Sequence, residues 1–183
     1  MKLPIVKIGF PVLRRSCKPA EPAVWQNPKF AGFLKSMVET MHGAQGVGLA
    51  ANQIGVDLRA IVLECRANKR YPGSPHFPLQ AYVNPRIVSA SKKMVSDWEG
   101  CLSIPGYRGI VPRHESILVE AVEPSGKKIR RRVSGFEARV FQHEIDHING
   151  FVYIDRMPDM KSIMHEDEMA RLAQAARKKS KTR

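Results

Sequence analysis

The chain has 183 residues, of which 43% are hydrophobic and 26% are charged, proportions that are typical of a globular domain and exclude a largely disordered chain. Its net charge is +13, from 30 Lys and Arg against 17 Asp and Glu, which favours an acidic partner such as nucleic acid. No apolar run approaches the roughly 18 residues that span a membrane, so a membrane partner is not expected.

The start of the chain and its cysteines both favour a cytoplasmic protein. Prolines, a glycine and a lysine interrupt the first segment, which therefore lacks the apolar stretch of a secretory signal. The three cysteines, Cys17, Cys65 and Cys101, have no framework spacing, which argues against a disulfide scaffold. We expect Cys17 and Cys65 to be small core residues.

The hydrophobic pattern predicts an α+β domain in which mostly antiparallel strands surround one buried helix. An apolar stripe at three- and four-residue spacing predicts a helix over 28–41, with Asn27 as its cap. The other predicted elements are strands at 59–65, 81–89, 116–122 and 127–133, a loop over 66–79, and helices at 136–148 and 158–178.

The second predicted helix has signals at both of its ends. Ser134 and Glu137 have the spacing of a capping box, and Gly150 is a typical stop. The third predicted helix begins amphipathic and continues into a basic tail. We therefore divide the chain into a main domain at 1–157 and a peripheral C-terminal helix with its basic tail at 158–183.

The strongest chemical signal is the motif HEIDH at 143–147, on the second predicted helix. Residues four apart lie one above the other on a helix, so the two imidazoles of this motif can bind one metal ion. Glu144 then lies beside the water that the ion activates and acts as general base. Phe136 and Val140 extend the row of the histidines, which predicts that the imidazoles face inward and need partners.

A catalytic metal site needs a third protein ligand besides His143 and His147. Cys101 is one candidate, because Gly100 before it lets the backbone approach a ligand closely and a thiolate suits a reducing cytosol. Spacing alone leaves the choice open. The alternatives downstream of the motif are Asp155, Asp159, His165, Glu166, Asp167 and Glu168.

Three separated segments together resemble the motifs of the peptide deformylase family, of the bacterial and organellar type. They are GVGLAANQ at 46–53, EGCLS at 99–103 and QHEIDH at 142–147. The segment IGFPVLR at 8–14 is similar to the usual start of the family. The resemblance covers about residues 4–157, and three motifs in the right order are far more specific than one metal motif alone.

The resemblance implies an enzyme that removes the formyl group from the N-terminal formyl-methionine of nascent polypeptides and releases formate. It also implies that Cys101, His143 and His147 are the metal ligands. The implied ion is Fe(II), for which Zn, Ni or Co substitute in the laboratory. Glu144 is then the general base and later the acid of the reaction.

The same resemblance implies how the substrate is held. The side-chain amide of Gln53 and the backbone N–H of Leu102 would donate to the formyl oxygen as an oxyanion hole. Val47 and Gly48 would flank the substrate backbone and pair with it like an added strand. The methionine side chain would enter an apolar pocket that includes Val140 and Leu102.

Polar neighbours of the motifs are expected to hold the ligands in place. We expect Glu99 and Arg113 to pair and so to fix the loop of Cys101. Gln142 and Asp146 are expected to support the ligands rather than to bind the ion, Asp146 by orienting a ring N–H of a histidine.

The basic run at 127–132 has five Lys and Arg in six residues. On a strand, Lys128, Arg130 and Arg132 share one face. A solvated face is the ordinary interpretation of such a run, and contact with ribosomal RNA, helped by the basic tail after Ala176, is the functional one.

Two other classes of function share the helix motif. A zinc metallopeptidase would use a different third ligand, so Cys101→Ser would leave its activity largely intact. A basic RNA- or ribosome-binding protein with a structural metal would have a closed site of four ligands, with Cys65 or another histidine as the fourth, and no hydrolytic activity.

Overall fold

The computed structural model describes residues 1–66 and 75–181, with side chains up to residue 176. Within these ranges no helix is long and apolar enough to cross a membrane. The helices are α1 Pro22–Trp25, α2 Pro28–Gly43, α3 Gly135–Ile148 and α4 Glu166–Lys181. The strands are β1 Gly48–Ala50, β2 Ala60–Cys65, β3 Phe77–Ala90, β4 Met94–Cys101, β5 Ile104–His114, β6 Ser116–Val122, β7 Lys128–Ser134 and β8 Met164–His165. Short 3₁₀ helices lie at Pro11–Arg14, Ala51–Ile54, Tyr153–Arg156 and Met160–Ser162.

The strands form two antiparallel sheets. The larger sheet has the order β1-β2-β3-β6-β7, and the smaller sheet has the order β4-β5-β8. Helices cover the faces of the sheets instead of connecting parallel strands, which is the arrangement of an α+β domain. The predicted fold class is therefore confirmed.

The helix that carries the metal motif, α3, lies inside the molecule. Side chains alternate along a strand, so neighbouring residues of β2 reach opposite faces of the larger sheet. Ile61 and Leu63 pack in the cluster that contains α3, whereas Ala60 and Val62 pack in the cluster that contains α2. The larger sheet thus lies between α2 and α3. Because α3 also contacts β5 of the smaller sheet, it is enclosed on two sides, as predicted.

Several predicted elements are confirmed. Helix α2 begins after Asn27, whose side chain accepts a 2.9 Å hydrogen bond from the Lys29 N–H. Strand β6 has the predicted bounds, and the predicted strand at 81–89 lies within β3. The predicted loop over 66–79 is wrong at its end, because β3 begins at Phe77. The rest of that prediction, over 67–74, lies outside the described residues.

The ends of α3 agree with the sequence signals only in part. Ser134 is the N-cap residue, but its side chain makes no capping hydrogen bond. The capping box is therefore wrong, and the Glu137 carboxylate instead accepts hydrogen bonds from Arg131 and Gln80. Gly150 follows the helix as predicted, with a φ of +86°.

Other differences concern whole elements. Strands β4 and β5 were not predicted at all, and neither were the shorter elements α1, β1 and β8. The C-terminal helix begins at Glu166 and not at residue 158, because a 3₁₀ turn and β8 precede it. The described side chains of α4 are largely exposed and the helix packs against β5 and β8, so its peripheral position is confirmed. The division of the chain at residue 157 stays a prediction.

Candidate metal centre

Cys101, His143 and His147 come together where the smaller sheet meets α3. Their ligand atoms all lie within 4.8 Å of one another. The Cys101 Sγ is 3.2 Å from the Nε2 of His147, and the two imidazole centroids are 4.9 Å apart. Strand β4 ends at the cysteine, and the helical spacing of four residues places the histidines side by side.

The chemistry of this donor set fits a transition metal ion. Cys101 is 2% exposed and His147 is 0% exposed, so a charge on the thiolate is shielded from water and needs a cation beside it. Burial alone would raise the pKa of the Cys101 thiol, but the charge of His147 and hydrogen bonds from both histidines hold that pKa well below its usual range. A thiolate is the form of cysteine that binds metals.

The group has three members among the residues that the structure describes, which leaves a coordination position for water or substrate. Cys65 packs in the core between the larger sheet and α3, and Cys17 is also buried, so both are core residues as predicted. None of the downstream candidates joins the group. Asp155 accepts from Arg14 at 2.5 Å, and Glu166 accepts from Arg108 at 2.9 Å.

The candidate ligand His143 is held through the buried carboxylate of Glu99. The Nδ1 of His143 lies 3.0 Å from the Glu99 Oε2. Arg113 binds the same carboxylate with two hydrogen bonds, of 2.9 and 3.0 Å, so the predicted pair is confirmed. Burial would raise the pKa of Glu99, but the hydrogen bonds from His143 and Arg113 hold it well below its usual range. Glu99 is therefore a carboxylate at neutral pH.

The expected role of Asp146 is wrong. Its carboxylate does not orient a histidine ring but accepts hydrogen bonds from Arg113 at 2.5 Å and from Arg156 at 2.7 Å. In the described part of the chain, the Nδ1 of His147 has no hydrogen-bond partner. Gln142 binds the backbone of His114 through its side-chain amide, at 3.0 and 2.9 Å. Gln142 therefore links α3 to β5, and its described hydrogen bonds do not involve the three candidate ligands.

Glu144 is a buried carboxyl group with few partners. It is 3% exposed, and its Oε2 has no hydrogen bond to any described residue. A Cβ atom on Gly48 would overlap this carboxyl group, so a larger residue at this position of β1 would force the Glu144 side chain to move. Burial raises the pKa of Glu144 to about 7, against the opposing charges of His143 and His147. A carboxyl group with such a pKa can both accept and donate a proton near neutrality.

The side chain of Gln53 faces Cys101, the candidate cysteine ligand. Its Oε1 accepts a 2.9 Å hydrogen bond from the Ala50 N–H, which fixes the orientation of the amide. Its Nε2 consequently points towards Cys101 Sγ at 3.5 Å and Ser103 Oγ at 3.3 Å. Gln53 is 1% exposed, so its N–H groups are directed into the site and away from solvent.

One cavity beside the candidate ligands brings the predicted catalytic and substrate-binding residues together. Its lining includes Val47, Gly48, Gln53, Leu102, Val140 and Glu144. Trp98, Phe136 and Arg139 also line it. Phe136 belongs to the row of α3 that contains Val140, His143 and His147, which was its signal in the sequence. No local pattern pointed to Trp98 or Arg139.

Comparisons with known proteins identify the family. A sequence model described as polypeptide deformylase matches residues 2–163. Peptide deformylase 1 of Bordetella pertussis is 45% identical over 156 residues, which cover 85% of this chain and 88% of the relative. Peptide deformylase 1 of Xanthomonas campestris is 46% identical over 138 residues, covering 75% and 81%. The chain belongs to the polypeptide deformylase family.

Solved deformylase structures have the same fold. The Met-Ala-Ser-bound class I type b peptide deformylase of Acinetobacter baumannii superposes with a TM-score of 0.84 at 34% identity, covering 86% of this chain and 99% of that one. The peptide deformylase of Thermotoga maritima gives a TM-score of 0.77 at 32% identity, covering 87% and 99%. The protein is thus a metal-dependent hydrolase of the deformylase type, and the family resemblance of its three motifs is confirmed.

Proposed function

We propose that this deformylase removes the formyl group from the N-terminal formyl-methionine of nascent polypeptides through the residue roles given below. The residue roles rest on one observation. The buried carboxyl group of Glu144 and the side-chain amide of Gln53 line the same cavity beside Cys101, His143 and His147. A related structure holds Met-Ala-Ser, which is the peptide that remains when formyl-Met-Ala-Ser loses its formyl group.

Cys101, His143 and His147 hold the metal ion in this proposal. The ion is Fe(II), and Zn, Ni or Co replace it. When bound, it supplies a Lewis acid that polarises the formyl carbonyl and lowers the pKa of water. One thiolate and two imidazoles suit iron and zinc alike. Oxygen sensitivity is expected, because both Fe(II) and the thiolate of Cys101 are oxidised readily.

Glu144 transfers the proton in two stages. Its carboxylate accepts a proton from the water that attacks the formyl carbon, and its carboxylic acid then donates that proton to the leaving amine. The products are formate and a peptide with a free N-terminus. A pKa of about 7 suits both stages, because neither form of the side chain is strongly favoured at neutral pH.

Gln53 and Leu102 stabilise the negative charge that develops on the formyl oxygen. The hydrogen bond from Ala50 holds the Gln53 amide in place before substrate arrives, so its N–H groups are already directed into the site. The backbone N–H of Leu102 is the second donor. Removing one donor of this kind typically costs about 10²–10³ in kcat.

The substrate backbone binds along β1. Among the strands that the structure describes, β1 is the end strand of the larger sheet, so its one described neighbour is β2 and its other edge could pair with an extended peptide. Val47 and Gly48 provide that edge beside Glu144. Val140 and Leu102 line the part of the cavity that takes the methionine side chain.

The proposed location is the cytoplasm, with contact to ribosomal RNA through the basic run at 127–132. In support, Lys128, Arg130 and Arg132 are exposed on the same face of β7. The side chains of the tail from residue 177 lie outside the described part of the chain. Co-sedimentation with ribosomes should weaken as salt rises and should weaken further when the three residues are replaced by Glu. Unchanged sedimentation of that variant would exclude this surface.

The first experiment measures formate release from formyl-Met-Ala-Ser by Fe(II)-loaded protein under anaerobic conditions. Glu144→Gln keeps the shape of the side chain but removes its acid–base function. We expect it to lower kcat by about 10²–10⁴ while the bound metal, measured by elemental analysis, is unchanged. An undiminished rate of formate release by this variant would rule out the proposed role of Glu144.

Cys101→Ser tests the ligand set in the same assay. Replacing the thiolate by a hydroxyl group should reduce the metal content and the activity together, because the other two ligands remain alone. A variant that keeps both its metal and its activity would show that the third ligand lies elsewhere. Cleavage of internal bonds in unformylated peptides by the parent protein would favour the metallopeptidase interpretation.

A further inference from the structure

The two proposed donors of the oxyanion hole lie on separate segments of the chain. Gln53 belongs to the 3₁₀ helix Ala51–Ile54, which follows β1 of the larger sheet. Leu102 lies with Ser103 in the two-residue turn that connects β4 to β5 in the smaller sheet. The geometry of the oxyanion hole therefore depends on how this turn is held beside the 3₁₀ helix.

A segment near the start of the chain, residues 6–8, contacts both of these segments through its backbone. The Val6 N–H donates to the Gln53 carbonyl at 2.9 Å, and the Ile8 N–H donates to the Ser103 carbonyl at 2.9 Å. N–H groups two residues apart point to the same side of an extended chain, so one edge of this segment reaches the 3₁₀ helix and the turn together. We call residues 6–8 the strap.

The strap holds both carbonyl groups of the turn. Ile8 binds the carbonyl of Ser103, and the side-chain ammonium of Lys7 donates to the carbonyl of Leu102 at 2.9 Å. The N–H of Ser103 is directed to the Sγ of the candidate ligand Cys101 at 3.3 Å. The peptide group between Leu102 and Ser103 is thus held at its oxygen and at its nitrogen, so the neighbouring N–H of Leu102 keeps its direction.

We propose that the strap is a positioning element of the oxyanion hole. Through Lys7 and Ile8 it holds the turn beside Gln53 at the separation that the formyl oxygen requires, and neither residue touches the substrate. Because the donors act mainly on charge that develops in the transition state, a displaced turn lowers kcat and leaves KM nearly unchanged. The inference rests on the proposed function, since it assumes that Gln53 and Leu102 are the donors.

Ile8→Pro removes one N–H group of the strap without straining the backbone. The Phe10 N–H donates to the Lys7 carbonyl at 3.0 Å, and Gly9 has a φ of +99°, which is the arrangement of a type II turn. Ile8 is at the second position of this turn, where proline is favoured, so the variant should fold. Because the bond to Ser103 is lost, we expect kcat for formyl-Met-Ala-Ser to fall by about tenfold to 10²-fold, while KM stays within about twofold.

Ile8→Ala is the matched control. It shortens the same side chain, which is 40% exposed, but keeps the N–H group, so its kcat should fall by much less than that of Ile8→Pro. The bound metal, measured by elemental analysis, and the midpoint of thermal unfolding should be similar in the two variants. An equal loss of kcat in both, a fall that is carried by KM, or a loss of metal that accounts for the fall would overturn the inference.

Lys7→Met tests the second contact between the strap and the turn, and it decides the question if Ile8→Pro does not fold. The substitution keeps a long unbranched side chain but removes the ammonium group, so kcat should fall by about fivefold with KM unchanged. Lys7→Arg can donate to the same carbonyl and should recover most of this loss. An unchanged kcat for Lys7→Met, or an equal loss for Lys7→Arg, would contradict the proposed role of Lys7.

The parent protein separates this inference from the proposed function. If the Fe(II)-loaded parent releases no formate from formyl-Met-Ala-Ser, the proposed function fails. If the parent is active and both Ile8→Pro and Lys7→Met keep its kcat, only the inference about the strap fails.

Discussion

At the residue scale, the position of the candidate ligand His143 depends on the buried carboxylate of Glu99, which also binds two arginines. Glu99 accepts hydrogen bonds from Arg113, Arg139 and His143. Its neighbours Arg113 and Arg139 come from β5 and α3, so the carboxylate connects the smaller sheet to the helix of the histidines. Removing one of these three partners would leave the buried charge of Glu99 with fewer hydrogen bonds, and breaking a buried ion pair typically costs up to about 3–5 kcal/mol.

Some of these residues could be predicted and others could not. His143 and His147 follow from helical spacing, which is a local property of the chain. Spacing does not decide whether Cys101 is the third candidate ligand, because its position relative to the histidines depends on how β4 meets α3. The family resemblance is what selects it. Asp146 was assigned wrongly because its true partners, Arg113 and Arg156, come from segments whose positions no local pattern gives.

Cys17 makes a prediction about stability at alkaline pH. Burial, followed by the charge of Asp57, raises the pKa of this thiol to about 11 from 9.0. A raised pKa means that the folded protein holds the proton more tightly than the unfolded chain. The contribution to stability is therefore complete below pH 9 and is lost as pH rises towards 11, a difference of about 2–3 kcal/mol.

Denaturant unfolding between these pH values measures the effect. Cys17→Ala should show a shallower fall in the free energy of unfolding than the parent, although its stability at neutral pH is lower because a buried atom is lost. Tyrosines and lysines titrate in both proteins and cancel in the comparison. Parallel curves for the two proteins would contradict the prediction.

At the element scale, the largest omission was the smaller sheet. Strand β5 contains Pro105, Gly106, Gly109 and Pro112, which are residues that argue against a central strand. The pairing of β5 with its neighbouring strands explains why these prolines and glycines are tolerated. Strand β8 joins β5 only at Tyr107 and Arg108, so at Pro112 the strand has β4 as a neighbour on one side and needs no second hydrogen bond.

The start of α4 was predicted too early for a related reason. The apolar residues Ile163 and Met164 suggested a helical face, but Met164 belongs to β8 and pairs with Arg108 of β5. Such pairing joins residues far apart in the sequence, and a local pattern cannot reveal it. In contrast, α2 and β6 were predicted well because their own periodicity and Asn27 determine them.

Gly150 makes a prediction about the end of α3. Its φ is +86°, and a Cβ atom would lie 2.9 Å from the backbone carbonyl carbon of Arg15. Gly150→Ala should therefore lower the free energy of unfolding by about 1–3 kcal/mol. Gly32→Ala is the control, because Gly32 is inside α2 with nothing within 4 Å, and it should raise stability by about 1 kcal/mol.

Chemical denaturation of both variants provides the measurement. The two substitutions add the same methyl group, so opposite signs would identify backbone conformation and close contact as the cause. Equal effects would show that Gly150 is not under the constraint that the structure indicates.

At the scale of the whole molecule, we expect the removal of α4 to affect the metal centre little. The described side chains of this helix are largely exposed, and a described link to the body is the Arg108–Glu166 ion pair of 2.9 Å. A chain truncated after His165 should keep its metal and deformylate within a few-fold of the parent rate. Loss of this partly exposed pair should cost no more than about 1 kcal/mol.

Metal analysis and formate release on the truncated chain check this expectation. A truncated protein that loses its metal would show that the helix belongs to the catalytic domain, against the division that the sequence suggests. A stable and active one would support that division.

The enclosure of α3 between the two sheets has a further consequence for internal motion. To expose the amides of this helix, the protein must separate it from both layers, which amounts to opening the whole domain. Its amide protons should therefore exchange with deuterium only through global unfolding. Small local fluctuations would then leave the relative position of the two histidines unchanged. Their arrangement should be lost only when the whole domain unfolds.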